Sequence, residues 1–92
     1  MYFIDIVTGC INEHSSLDEY INSASDYQIE QIDPIELASL RIATYELIHM
    51  PEVPNKVIIA EAIRLCKKFG SNEGFKLVNV ILDNLANRIR TA

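Results

Sequence analysis

Lys76 and Asn79 stand three residues apart on a predicted helix and share a face, so an ammonium suited to a phosphate lies beside an amide suited to a base edge. Lys67, Lys68 and Asn72 gather with them around that helix's N-terminus, where free backbone N–H groups also suit an anion. Lys56 opens the preceding helix. A plainer reading stands beside this one: Lys67 and Lys68 neutralise the C-terminus of their own helix, and Lys76 and Asn79 are solvated surface.

Catalytic chemistry has less to work with. The sequence holds no G-x-S-x-G, H-E-x-x-H, Walker A or dinucleotide-type glycine pattern. Its carboxylate pairs, Asp18 with Glu19 and Glu30 with Asp33, fall on predicted surfaces with no apolar pocket to raise a pKa for acid–base work. Cys10 and Cys66 sit on apolar helix faces with no C-x-x-C spacing and read as reduced core thiols. With His14 and His49 the only histidines, no metal site is expected. The chain reads as a binding protein, with no enzyme activity and no cofactor.

The elements that must position these residues are helices. From Tyr2 to about Ser25, Phe3, Ile6, Val7, Cys10 and Ile11 follow helical spacing, and Leu17, Tyr20 and Ile21 resume it. Ser15-Ser16 interrupts the pattern: either a helix restarts there on a Ser16/Glu19 capping box, or one kinked helix runs through with the serines facing water. Asp33-Pro34-Ile35-Glu36 reads as N-cap, first-turn proline and capping-box partner for a central, mostly buried helix. Pro51 ends that helix, and Pro54 opens the next after a loop from Met50 to Val53. The third helix places Ile58, Ala62, Leu65 and Phe69 in one row and Ile59, Ile63 and Cys66 in the next, and Gly70 is expected as a left-handed cap. The last helix starts near Ser71 or Asn72 and runs through Val78, Ile81, Leu82, Leu85 and Ile89 to a basic end at Arg88 and Arg90. Four to five helices with short loops predict an all-α bundle.

At 92 residues, with 49% hydrophobic and 23% charged content, the chain fits one folded domain spanning residues 1–92. No apolar run approaches the roughly 18 to 20 residues of a membrane span, and no signal peptide is read at Met1, so a cytoplasmic location is expected. The net charge of −5 is unevenly spread. Residues 1–40 carry acids and no Lys or Arg, whereas residues 41–92 carry all eight bases. An acidic first half repels phosphate and suits a basic protein partner, or is simply a solvated surface.

The ordered string IDPIELASLRIATYELIHMPEVPNKVIIAEAIRLCKKFG, followed by FKLVNVILDNLANRIR, resembles the carboxy-terminal part of the NusB transcription antitermination factor family. The matches include Asp33, Pro34, Glu36, Arg41, Tyr45, Glu46, Pro54, Lys56, Glu61, Phe69, Gly70, Lys76, Asn79 and Asp83. The opening YFIDIVTGCINEHSSLDEYI is similar to the family's preceding helix, so the resemblance covers essentially the whole chain. It implies a NusB-like bundle truncated at the N-terminus, without the family's arginine-rich helix and the helix after it. It also implies pairing with NusE, the basic small-subunit ribosomal protein, and help in bringing boxA RNA to elongating RNA polymerase during rRNA transcription. By the same resemblance Lys56, Glu73, Lys76 and Asn79 form the RNA site, and the acidic stretch holding Glu30 and Glu36 meets NusE. Against the family's K-F-V-N-G, Leu77 replaces an aromatic and Val80 a glycine, which predicts weak RNA binding by the chain alone. The alternative is a protein-interaction or self-association module, a homodimer formed over apolar faces around Phe3, Val7, Cys10 and Ile11, or a relic of the RNA-binding domain found ahead of an rRNA cytosine methyltransferase.

Overall fold

Prolines and one glycine-rich turn set most helix boundaries. The computed structural model describes residues 2–71 and 73–90, and these form five α-helices with no strand among them. They are α1 (Tyr2–Asn12), α2 (His14–Ala24), α3 (Pro34–His49), α4 (Asn55–Phe69) and α5 (Gly74–Arg90), with a short 3-10 turn at Ile29–Gln31 before α3. The side chain of Phe3, expected on the apolar face of the first helix, and Asn72, expected beside the lysines, lie outside the described residues.

The first helical stretch bends at Glu13, ahead of the serines. Glu13 has φ −111° and ψ 16°, yet its N–H still bonds Gly9 O (2.9 Å) and its carbonyl still accepts from Leu17 (3.0 Å), so the ladder continues through the bend. Ser15 and Ser16 lie inside α2 on its exposed side, and the Ser16/Glu19 pair starts no helix. Gly9 brings α1 onto α3: a Cβ there would stand 2.3 Å from the Tyr45 ring, so only a bare backbone fits.

Leu17 and Ile21 of α2, Leu40, Ala43 and Leu47 of α3, Ile58, Ala62 and Cys66 of α4, and Val78, Ile81, Leu82 and Leu85 of α5 are buried. α3 touches all four other helices, as its all-round apolar sequence predicts. In α4 the buried row is Ile58-Ala62-Cys66. Phe69, expected to continue a core row, is instead 61% exposed, because the row facing α3 and α5 ends at Cys66. Cys66 and the half-buried Cys10 are free thiols, and burial pushes both pKa values up.

Three polar links fix the order of helices. The Arg41 guanidinium of α3 forks onto Asp18 of α2 at 2.8 and 3.0 Å, and this bond to the carboxylate raises its own pKa. Arg88 of α5 donates to Ser23 Oγ of α2 at 2.9 Å. Arg90 donates to Glu46 O, Leu47 O and Met50 O at the end of α3, and to Val53 O and Asn55 Oδ1 where α4 begins. These contacts set the end of α5 beside the end of α3 and the start of α4, so α3 and α5 run the same way and α4 runs against both.

Candidate nucleic-acid interface

The start of α5 is held by a carboxylate from α3. Glu36 is 2% exposed; its Oε2 accepts from the Ser71 backbone N–H (3.1 Å) and its Oε1 from the Ser71 hydroxyl (2.8 Å). This corrects two expectations. Asp33 precedes α3 but makes no side-chain cap bond, so Glu36 closes no capping box; nor does it stand on a partner surface, because both of its oxygens are spent inside the fold. Gly70 is corrected as well. Its φ is −89°, so the left-handed region is not used, and the glycine is needed for room: a Cβ at 70 would lie 2.0 Å from Glu36 Oε2. At Gly74 a Cβ would lie 2.6 Å from the same carboxylate.

From this anchored turn the outer face of α5 emerges. Glu73 adopts φ 67°, an unusual conformation for a residue with a Cβ, and its carbonyl accepts from the Lys76 N–H at 3.0 Å. Its carboxylate pairs with Lys76 Nζ at 3.2 Å, both side chains being 62% exposed. A pair this open is worth little to stability and leaves both groups available to a ligand. Asn79 is exposed one turn further along. Lys67 of α4 reaches across the turn to sit 4.8 Å above the Phe75 ring, and Lys68 lies 5.4 Å above Phe69. Two lysines, the exposed Phe69 ring and the partly buried Phe75 ring therefore lie together at this end of the bundle, an arrangement that fits single-stranded nucleic acid.

Lys56 does not join them. It is exposed on the first turn of α4, next to Asn55, which Arg90 holds at the far end of α5. Fourteen residues of helix separate Lys76 from Arg90, about 20 Å of axis. Three of the four expected RNA-site residues, Glu73, Lys76 and Asn79, thus share one face, and Lys56 stands at the opposite end. Glu30 is exposed on the 3-10 turn, with Asp33 exposed just after it. Sequence reading places Phe69 in a helix row and not at the site, although its place directly after Lys67-Lys68 and before Gly70 is the available signal. It passes over Tyr27, which carries no periodic signal in a polar linker.

Among the described residues no group of His, Cys, Asp or Glu is placed to hold a metal, and no helix is long and apolar enough to cross a membrane. The family model described as the NusB family matches residues 1–87. The chain is 45% identical over its whole length to a transcription antitermination protein NusB of Marinobacter nauticus, covering 58% of that protein. It is 46% identical over 97% of its length to one of Coxiella burnetii, covering 64%, and 49% identical over 95% to one of Burkholderia mallei, covering 60%. It spans, then, about three fifths of the length of these relatives.

Proposed function

The chain belongs to the NusB family, and from that premise we propose that it acts in transcription antitermination, pairing with NusE and helping to recruit boxA RNA to elongating RNA polymerase. The observation that supports this most is the exposed start of α5, where Glu73, Lys76 and Asn79 sit beside Lys67 and near the exposed Phe69 ring, on a turn braced from within by Glu36. Lys76 supplies charge for a phosphate, and the Asn79 amide can both donate to and accept from a base edge. Lys76→Ala is expected to weaken binding of all RNA sequences alike in the NusE complex, and Asn79→Ala to reduce the preference for boxA over a scrambled RNA. Fluorescence anisotropy with labelled RNAs reads both. If each variant binds boxA as the parent does, the RNA site lies elsewhere.

On the same reading, NusE meets the acidic segment at Glu30 and Asp33, both exposed. Glu30→Lys should slow association with NusE several-fold at low salt and flatten the salt dependence of the on-rate, as rim charges do. Stopped-flow mixing measures it, and an unchanged on-rate removes Glu30 from the interface.

A second reading rests on a different face. Val7, Cys10 and Ile11 of α1 form an open, mostly apolar groove with Ala38, Arg41 and Ile42 of α3, and Ile11 is 67% exposed. A self-associating module would bury that groove in a homodimer. Light scattering at micromolar concentration should then give twice the chain mass, returning to monomer in Ile11→Arg, whereas a monomeric parent chain removes this reading.

A further inference from the structure

A second groove, of about 470 Å³, runs between the linker after α2 and the outer face of α5. Tyr27 lines its linker wall with Asp26, and Glu73, Lys76, Leu77 and Val80 line the helix wall. Tyr27 is 51% exposed, and its backbone N–H bonds Ser25 Oγ at 2.9 Å, so a tight turn fixes where the side chain leaves the linker. Asn84, on the same wall, donates to Ala24 O at 3.4 Å and ties the linker to α5.

The charges in this groove decide what it can take. One ammonium faces two carboxylates, Asp26 and Glu73, so a phosphate chain lying along the floor would be repelled. A nucleobase carries no charge, offers a flat face to an aromatic ring, and presents N–H groups that carboxylates accept. On the helix wall the apolar Leu77 and Val80 suit the ring and oppose a hydrated backbone.

Resting on the RNA reading above, we infer that Tyr27 is a base-stacking residue: one base of the bound single strand is splayed into this groove against the Tyr27 ring. Asp26 and Glu73 accept from its N–H edge, and Lys76 holds the adjoining phosphate at the groove's rim. Guanine, whose N1–H and N2–H₂ donors stand side by side, matches a carboxylate best.

Anisotropy titrations of the chain–NusE complex with labelled boxA RNA test this, using Tyr27→Ala, Tyr27→Phe and Lys76→Ala. Loss of one base stack is expected to weaken binding about tenfold in Tyr27→Ala. The salt slope should not move, since no phosphate contact is lost, and Tyr27→Phe should stay within about twofold of the parent because the ring is kept. Lys76→Ala should instead lower the slope by about 0.7. If Tyr27→Ala binds RNA as the parent does while Lys76→Ala is weakened, the stacking role is overturned and the RNA reading stands. When neither variant changes RNA binding, both fall together. A Tyr27→Ala variant that loses NusE and keeps its RNA affinity overturns the role in favour of a protein-binding groove.

Discussion

Replacing Arg90 with alanine is expected to cost the fold about 3 kcal/mol. The guanidinium meets five acceptors: the carbonyls of Glu46, Leu47 and Met50, the Val53 carbonyl, and Asn55 Oδ1. The first three lie at the C-terminal end of α3, where the helix dipole is negative and a fixed cation is most favourable; Glu46 O also accepts from the Met50 N–H (2.9 Å) and Met50 O from the Val53 N–H (3.0 Å), so the guanidinium adds a second donor there. Bonds from a charged donor contribute about 1.5 to 3 kcal/mol each, but five made by one group do not add, and water reaches some of the freed carbonyls. For a domain of this size the loss lowers Tm by roughly 12 to 24 °C. Arg90→Lys should recover less than half, because a single ammonium cannot match a planar fork of five donors. Urea unfolding followed by circular dichroism measures both. A cost below about 1 kcal/mol for Arg90→Ala would mean that the end of α3 is capped adequately by water.

The second large effect centres on Glu36. Glu36→Ala leaves the Ser71 N–H and hydroxyl without their acceptor and opens a cavity at the α4–α5 turn, for an expected loss of about 2 to 3 kcal/mol. Gly74→Ala in the parent chain should also destabilise, by about 1 to 2 kcal/mol, because the new Cβ stands 2.6 Å from the Glu36 carboxyl group and 2.7 Å from Ser71 Oγ. Once Glu36 is alanine that obstruction is largely gone. Gly74 is the first residue of α5, so a part of the interior preference for Ala over Gly, which is about 1 kcal/mol, then takes over. Gly74→Ala should therefore change sign, destabilising in the parent and stabilising in the Glu36→Ala background, so a double-mutant cycle shows strong coupling. Simple additivity would show that the glycine is not kept for the carboxylate. Because this turn presents Glu73 and Lys76, Glu36→Ala should also weaken RNA binding indirectly.

What the sequence discloses follows the range of the forces involved. Pro34 and Pro51 mark the two ends of α3 and Pro54 the start of α4, each within two residues, since a proline ring suits a first turn and excludes a helical continuation locally whatever lies around it. The kinked-helix reading of the first stretch holds, with the serines facing water, but the kink falls at Glu13 rather than at Ser15-Ser16; that place is not marked in the sequence because the bend needs no breaker, only a shift of two backbone angles with the hydrogen bonds kept. Choosing the buried row of α4 was beyond a pattern in which both rows are apolar, and contact with α3 and α5 selected Cys66 over Phe69. Glu36 has the spacing of a capping residue, and local spacing cannot show a partner 35 positions away in Ser71. At the site, the i, i+3 relation of Lys76 and Asn79 is a property of one helix and was legible. Lys56 was grouped with them by motif, whereas the antiparallel course of α4 puts it at the other end of the bundle. Part of the acidic excess of the first half is also internal: Asp18 pairs with Arg41, and Glu13 meets His49 at 2.9 Å, which leaves Glu30 and Asp33 as the accessible acids of the partner segment.

The central claim, that this chain joins NusE to boxA RNA through the start of α5, is tested most directly by titrating labelled boxA and a scrambled RNA of equal length into the chain with and without NusE, across a range of salt. The account predicts a stable pair with NusE, weak RNA binding by the chain alone, and tighter binding of boxA than of the scrambled strand by the pair, with a salt slope of about 0.7 for each of one to a few phosphate contacts. Equal binding of the two RNAs by the pair, or no pairing with NusE at all, would contradict it.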